Sequence, residues 1–87
     1  MQLHDPCAVS VLRCIDEALK TKKTVSFNDV MAASECKKYS ISEIGKALEL
    51  LRRNGLVKAT SRFGCSELLE FTATGMTDAG KEFLKKR

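Results

Sequence analysis

The sequence has little of several residue types on which particular functions depend. Its 87 residues include one proline, one histidine (His4) and no tryptophan, and none of the four cysteines forms a Cys-x-x-C pair. A structural zinc site is therefore not expected, since such sites need several cysteine or histidine ligands at characteristic spacings. The lone histidine leaves no Cys-His pair for nucleophilic catalysis, and the glycines match no phosphate-binding loop. We predict a protein that is not an enzyme and carries no metal and no cofactor.

Long hydrophobic runs are absent as well. No apolar stretch approaches the ~18 residues that a membrane-spanning helix needs, and the first residues lack the pattern of a signal peptide. With 44% hydrophobic and 30% charged residues, the composition is that of a folded domain. These features predict a single domain over residues 1–87, in the cytoplasm and without membrane partners.

Acidic residues are fewer than basic ones. Fifteen Lys and Arg against eleven Asp and Glu give a net charge of +4. This balance suits a negatively charged partner, but many solubilising surfaces have the same balance. The positions of the basic residues must decide between these two interpretations.

The cysteines are Cys7, Cys14, Cys36 and Cys65. Cys7 and Cys14 lie on one predicted helix, roughly 10.5 Å apart along its axis, whereas the Cα atoms of a disulfide lie within about 7 Å. We interpret the cysteines mainly as small hydrophobic residues in or near the core. The alternative is a dimer contact, an intermolecular disulfide or a thiol sensor, for which the candidates are Cys7, Cys14, Cys65 and, as a dimer contact, Leu50.

Periodicity and capping signals predict the order α-β-α-α-β-β-α. Asp5 and Pro6 begin an amphipathic helix, residues 24–26 form a short strand, and a second helix covers residues 27–34. Residues 57–60 and 68–73 alternate as two strands around a tip near Phe63 and Gly64, and Thr77 caps the last helix.

The third helix follows a capping box formed by Ser40 and Glu43 and ends at Asn54-Gly55. Its period places two groups on opposite faces, with Leu50 as an outward misfit. The core face carries Ile41, Ile44, Ala47, Leu48 and Leu51, and the outward face carries Ser42, Lys46, Glu49 and Arg53.

Three segments resemble small prokaryotic and archaeal winged-helix regulators. "IGKALELLRRNGLV" (residues 44–57) looks like the end of their recognition helix, "MTDAGKEFLKK" (76–86) is similar to the start of their last helix, and "TVSFNDVMAAS" (24–34) resembles their first strand and second helix. The ordered set follows the pattern of MarR-like and PadR-like repressors, although "ECKKY" departs from their glycine-containing turn. The resemblance implies an α+β winged helix-turn-helix with a two-stranded wing, and a homodimer through the first or last helix.

The same resemblance implies sequence-specific binding of double-stranded DNA by a transcriptional regulator. The third helix would enter the major groove, with Ser42 and Lys46 as the better candidates for base contacts, because Glu43 is needed for the cap. The turn before it would contact phosphates, and the wing would contact the minor groove or the backbone. The full set of candidate DNA contacts is Lys37, Lys38, Tyr39, Ser40, Ser42, Lys46, Arg53, Lys58 and Arg62.

Plainer interpretations remain open. Any solvated amphipathic helix shows such a polar face, with Glu49 and Arg53 as an i,i+4 pair. Tyr39 is equally suited to covering the core. The alternative function is a winged-helix module for protein–protein interaction in a larger assembly, which an outward Leu50 and the Cys7/Cys14 edge of the first helix would favour.

Overall fold

A computed structural model of the chain describes residues 5–64 and 67–86. Their strands make one antiparallel sheet, so the predicted α+β class is confirmed. The order differs from the predicted one, because a 3-10 turn stands between the second and third α-helices. In sequence, the elements are α1 (Pro6–Leu19), β1 (Val25–Ser26), α2 (Phe27–Ala32), the 3-10 turn (Ser34–Cys36), α3 (Ile41–Arg53), β2 (Val57–Gly64), β3 (Glu67–Met76) and α4 (Asp78–Lys85).

Local signals explain where the helices begin and end. Pro6 opens α1, where its missing N–H leaves no hydrogen bond unmade. Ser26 and Ser40 cap α2 and α3, each in a capping box with the acidic residue three positions on. Just beyond α3, Gly55 has a φ of 70°, in the left-handed region that glycine adopts without strain. Within the described ranges, no helix combines the length and the apolar character needed to cross a membrane.

The sheet has the strand order β1-β3-β2, so β2 lies at an edge. The hairpin of β2 and β3 shifts register between Lys58 and Ala59 and again between Arg62 and Phe63. Such irregularities bend a strand pair and increase its twist. The outer half of the hairpin is therefore not a flat continuation of the sheet.

One face of the sheet and the helices α1 and α3 enclose the core. Both helices contact β3 as well as each other, and α3 also contacts β2. The fully buried side chains include Val11, Leu12, Ile15, Val25, Val30, Ile44, Leu48, Leu51 and Phe71. The core therefore joins the sheet to α1 and α3, and on the opposite face of the hairpin Lys58, Thr60, Arg62 and Glu70 are exposed.

One predicted boundary between α2 and α3 is wrong, because the second helix ends at Ala32 instead of Ser34. The predicted polar turn "ECKKY" overlaps the 3-10 turn, which packs against α1. Cys36 lies in this turn and is completely buried, as the interpretation of the cysteines as core residues predicted.

Candidate functional site

The turn before α3 carries three of the predicted DNA contacts. Lys37 and Lys38 are exposed, and neither forms an ion pair with a described residue. The Lys38 ammonium lies 5.3 Å from the centre of the Tyr39 ring, in a cation–π contact. Tyr39 is half-buried against the core, and its backbone N–H donates to the carbonyl oxygen of Cys36. The two lysines are available to an anion, whereas Tyr39 largely covers the core.

The first turn of α3 engages Ser40 with Glu43. The Ser40 hydroxyl accepts a hydrogen bond from the Glu43 N–H at 3.1 Å and donates to Glu43 Oε1 at 3.1 Å. The Ser40 backbone N–H donates to the same oxygen at 3.4 Å. Glu43 is thus held in the cap, as the sequence indicated. Ser42 and Lys46 are exposed, and Lys46 has no ion pair within the described ranges.

Ile41 does not lie in the core, contrary to the prediction from periodicity. It is the first residue of α3 and is 64% exposed. Ile41 belongs to the apolar stripe of α3 by its helical position, but its side chain lines an open cleft instead of the core. The stripe therefore continues one residue beyond the elements that cover it.

The cleft at Ile41 has a volume of about 480 Å³. Its lining is Ser26, Phe27, Asn28, Met31, Ile41, Glu70, Phe71 and Thr72. Phe27 and Met31 are half-buried against the core, and the lining combines apolar side chains with an equal number of polar ones.

Glu49 was predicted on the solvated face of α3, and that prediction is wrong. It is 8% exposed, because β2 lies across this side of the helix. Arg52 donates to both carboxylate oxygens of Glu49. Its Nη2 donates to Oε1, and its Nε donates to Oε2 at 3.0 Å. These hydrogen bonds from Arg52 are the main cause of a lowered Glu49 pKa, and those from Ser61 and the charge of Arg53 act in the same direction.

The C-terminal part of α3 differs from the prediction in a second residue. Leu50 is half-buried and packs against the core, so it is not an outward misfit. The reason is that α3 contacts α1, α2 and both hairpin strands, which cover more of the helix than one stripe. Arg53 is exposed, and its Nε lies 3.5 Å from Glu49 Oε1, so the predicted i,i+4 pair is confirmed.

The hairpin carries Lys58 and Arg62 on the sheet face opposite α3. Both are exposed, whereas Ala59 and Ser61 alternate with them and are half-buried. Arg62 Nη2 lies 3.2 Å from Glu70 Oε1 on the neighbouring strand. Both side chains of this ion pair are about two-thirds exposed. An exposed pair of this kind contributes roughly 0–1 kcal/mol, so Arg62 can exchange Glu70 for another anion at little cost.

The cysteines that the structure describes are core residues. Cys7, Cys14 and Cys36 are buried thiols, in agreement with the favoured interpretation. Burial, followed by the negative charges of Glu43 and Asp5, raises the pKa of Cys7, which makes its thiolate scarce. A bridge between chains through Cys7 or Cys14 would need exposure that this conformation does not provide. Cys65 lies outside the described residues.

Carboxylates and lysines are distributed differently around α3 and the hairpin. Glu43 accepts a hydrogen bond from the Ser40 backbone in the cap. Glu49 accepts hydrogen bonds from Arg52, and Glu70 accepts one from Arg62. The exposed lysines have no ion pair with a described residue; they are Lys37, Lys38, Lys46 and Lys58. These four ammonium groups are therefore exposed and have no carboxylate within ion-pair distance among the described residues.

Comparison with known proteins assigns no family. No protein-family model matches the chain, and neither a curated protein nor a solved structure matches it significantly.

Sequence reasoning missed Ile41 and Glu49 as residues of this region. Helical periodicity alone places Ile41 inside and Glu49 outside. One signal for Glu49 was present, namely two successive arginines at i+3 and i+4, Arg52 and Arg53. Two arginines beside one carboxylate are suited to a buried acceptor as well as to a surface pair.

Proposed function

We propose that this protein is a winged-helix regulator that binds double-stranded DNA with sequence specificity. In this proposal α3 enters the major groove and the β2–β3 hairpin is the wing. The turn at Lys37 and Lys38 contacts the phosphates of the DNA backbone. The observation that supports it best is the placement of exposed basic residues: three consecutive elements carry lysines without an ion pair among the described residues, while Glu43, Glu49 and Glu70 are held in a cap or in ion pairs. Phosphates would supply the missing negative charge.

The residues divide into two roles under this proposal. Ser42 and Lys46 face outward near the N-terminal end of α3, the part that meets base edges in helix-turn-helix proteins. A lysine ammonium donates to guanine O6 or N7, and a serine hydroxyl serves several bases. Lys37, Lys38 and Lys58 contact phosphates, which orient the protein without reading sequence.

Arg53 and Arg62 would also contact phosphates, each by exchanging its carboxylate partner for a phosphate group. Each is exposed and is held by a carboxylate at 3.5 Å or 3.2 Å, respectively. Arg52 is different, because both of its hydrogen bonds go to the buried Glu49. We therefore expect Arg52 to have a structural role.

A homodimer would place two copies of this surface on the DNA. Two copies related by a twofold axis would place their α3 helices about 34 Å apart on one side of a palindromic site. Light scattering in the presence and absence of duplex DNA measures the number of chains per complex.

Fluorescence anisotropy of a labelled random duplex tests the proposal. We expect binding that weakens steeply with salt, since each phosphate contact adds about 0.9 to the slope of log affinity against log salt. Lys37→Ala and Lys38→Ala should each lower that slope by about 1 and weaken all sequences alike. Lys46→Ala should also relax the choice of site, by about 1–3 kcal/mol of discrimination.

Lys81→Ala is the matched control. Lys81 is an exposed lysine on α4, outside the three basic elements, and its loss changes the net charge equally. Equal effects of Lys81→Ala and Lys46→Ala would show that only overall charge matters. Absence of wild-type binding at low salt would refute the DNA-binding proposal.

A second candidate function is a protein-interaction module. The cleft at Ile41 favours it, because an exposed isoleucine beside Phe27 and Met31 offers an apolar contact surface. A partner that binds the wild type and Lys46→Ala equally, but not Ile41→Glu, would support this function. Salt-dependent DNA binding that Ile41→Glu leaves intact would count against it.

A further inference from the structure

The buried carboxylate of Glu49 joins α3 to the edge strand β2. Besides its two hydrogen bonds from Arg52, it accepts one from the Ser61 hydroxyl, which lies 3.3 Å from Oε2. Glu49 and Ser61 are twelve positions apart in sequence and belong to different elements. Among the side-chain hydrogen bonds between described residues, this one alone connects α3 with the hairpin.

We propose that the Glu49–Ser61 hydrogen bond sets the position of the wing relative to the recognition helix. The proposal rests on the proposed DNA-binding function and assigns a positioning role to two residues that touch no DNA. Lys46 precedes Glu49 by one helical turn, and Arg62 directly follows Ser61. This hydrogen bond between side chains therefore joins a residue one helical turn from one DNA-contact candidate to the sequence neighbour of another.

Both ends of this hydrogen bond are anchored. On the helix, the two hydrogen bonds from Arg52 fix the orientation of the Glu49 carboxylate, as a bidentate guanidinium does. On the strand, Ser61 is paired with Phe71, which is fully buried. The link thus connects α3 to the hairpin at a residue that pairs with a side chain of the core.

Arg62, the residue after Ser61, has no hydrogen bond or ion pair to α3 among the described residues. The register shifts between Arg62 and Phe63, and Arg62 pairs with Glu70 in an exposed ion pair. An exposed pair joins the two hairpin strands to each other and does not hold them to α3. The link at Ser61 therefore acts together with the core contacts of α3 and the hairpin in setting the separation of Lys46 and Arg62.

Charge-neutral variants separate positioning from electrostatics. Ser61→Ala removes the hydroxyl and keeps the net charge, whereas changing Glu49 would also release Arg52 and Arg53 and so attract DNA. Thr24→Ala is the control, since Thr24 is exposed, loses a hydroxyl without a change of charge, and lies outside the hairpin and the proposed DNA contacts. We expect Ser61→Ala to bind duplex DNA about tenfold more weakly, because a wing that is free to move must be ordered on binding, and we expect Thr24→Ala to bind like the wild type.

A double-mutant cycle with Arg62→Ala identifies the mechanism. If the link acts by positioning the wing, Ser61→Ala should no longer lower the DNA affinity in an Arg62→Ala background. The reason is that the position of the wing matters for binding only while Arg62 is present to contact DNA. A general loss of stability would weaken binding equally in both backgrounds. The affinities are compared at a temperature where circular dichroism shows all variants folded.

The outcomes are distinct. An equal loss with and without Arg62, unchanged affinity of Ser61→Ala, or an equal loss in Thr24→Ala would each overturn the positioning role. If wild-type protein binds no DNA at low salt, the proposed function fails, and hydrogen exchange then tests the link without DNA. Amides of residues 62–64 should exchange at least about tenfold faster in Ser61→Ala than in Thr24→Ala, and equal rates would refute the link.

Discussion

The backbone of Gly80 lies against the carbonyl oxygen of Leu56, so that a Cβ on Gly80 would stand 2.1 Å from that oxygen. The same oxygen accepts a hydrogen bond from the Thr77 N–H at 3.2 Å. The Thr77 hydroxyl donates to the Gly55 carbonyl oxygen at 2.6 Å and accepts from the Gly80 N–H at 3.0 Å. The first turn of α4 is thereby docked on the turn that connects α3 to β2.

This contact predicts that Gly80→Ala destabilises the protein. Alanine is favoured over glycine inside a helix by about 1 kcal/mol, but a backbone oxygen at this distance cannot yield without moving the α3–β2 turn. We expect a net loss of about 1–3 kcal/mol in the free energy of unfolding, as for other overpacked sites. Urea unfolding followed by circular dichroism measures it.

Gly55→Ala is the control for that experiment. Gly55 has open space around its Cα, but its φ of 70° is costly for alanine. Its replacement should cost roughly 1–2 kcal/mol from conformation alone. Stabilisation of the protein by Gly80→Ala would show that α4 does not approach Leu56 as closely as described.

Ile41 and Ile44 should respond differently to truncation. Ile41 is 64% exposed, whereas Ile44 is 1% exposed in the core, although both belong to the same apolar stripe. We expect Ile44→Ala to lose about 2–5 kcal/mol and Ile41→Ala to stay within about 0.5 kcal/mol of the wild type. Equal losses would mean that Ile41 is covered after all.

The contrast between these two residues shows what the sequence could predict. Capping boxes at Ser26 and Ser40 were predictable because every atom in them lies within four residues. The two long helices, the hairpin and the α+β class followed from periods of 3.6 and 2. These are local properties of the chain.

Burial at the ends and flanks of α3 was not predictable in the same way. Whether Ile41 is covered depends on where α2 and β3 end around the cleft, and Glu49 is buried because β2 crosses its side of the helix. Each result depends on tertiary contacts between segments that periodicity treats separately.

Acid should destabilise the protein through Asp29 and Glu49. Hydrogen bonds from the Ser26 backbone N–H and then from Lys22 lower the pKa of Asp29, and hydrogen bonds from Arg52 lower that of Glu49. A carboxyl whose pKa is lower in the folded state stabilises the fold above its unfolded pKa, about 4, and loses that effect as the pH falls through the folded value. The free energy of unfolding should therefore fall below pH 4.

Variants identify the groups responsible for that fall. Asp29→Asn with Glu49→Gln removes both titrating carboxyls, so the double variant should be less stable at pH 7 but should depend less on pH between 5 and 2. Urea unfolding at several pH values measures both quantities. An unchanged pH dependence in the double variant would assign acid sensitivity to other carboxyls.

Thiol chemistry should be slow in the folded protein. In a Cys65→Ser variant the remaining cysteines, Cys7, Cys14 and Cys36, are buried. A disulfide reagent such as DTNB should react with them only on the timescale of unfolding, and at once in denaturant. A covalent dimer of this variant on a non-reducing gel would instead support the intermolecular bridge through Cys7 or Cys14.

The position of Ser26 has a consequence for how this chain can change in length. Ser26 pairs with Thr72 in the sheet and is at the same time the N-cap of α2, so strand and helix meet with no loop between them. A residue inserted after Ser26 would separate its hydroxyl from the Asp29 N–H that it caps. Residues 20–24 are all exposed and end before the sheet begins. Longer variants and inserted tags should therefore be accepted between α1 and β1 and rejected between β1 and α2.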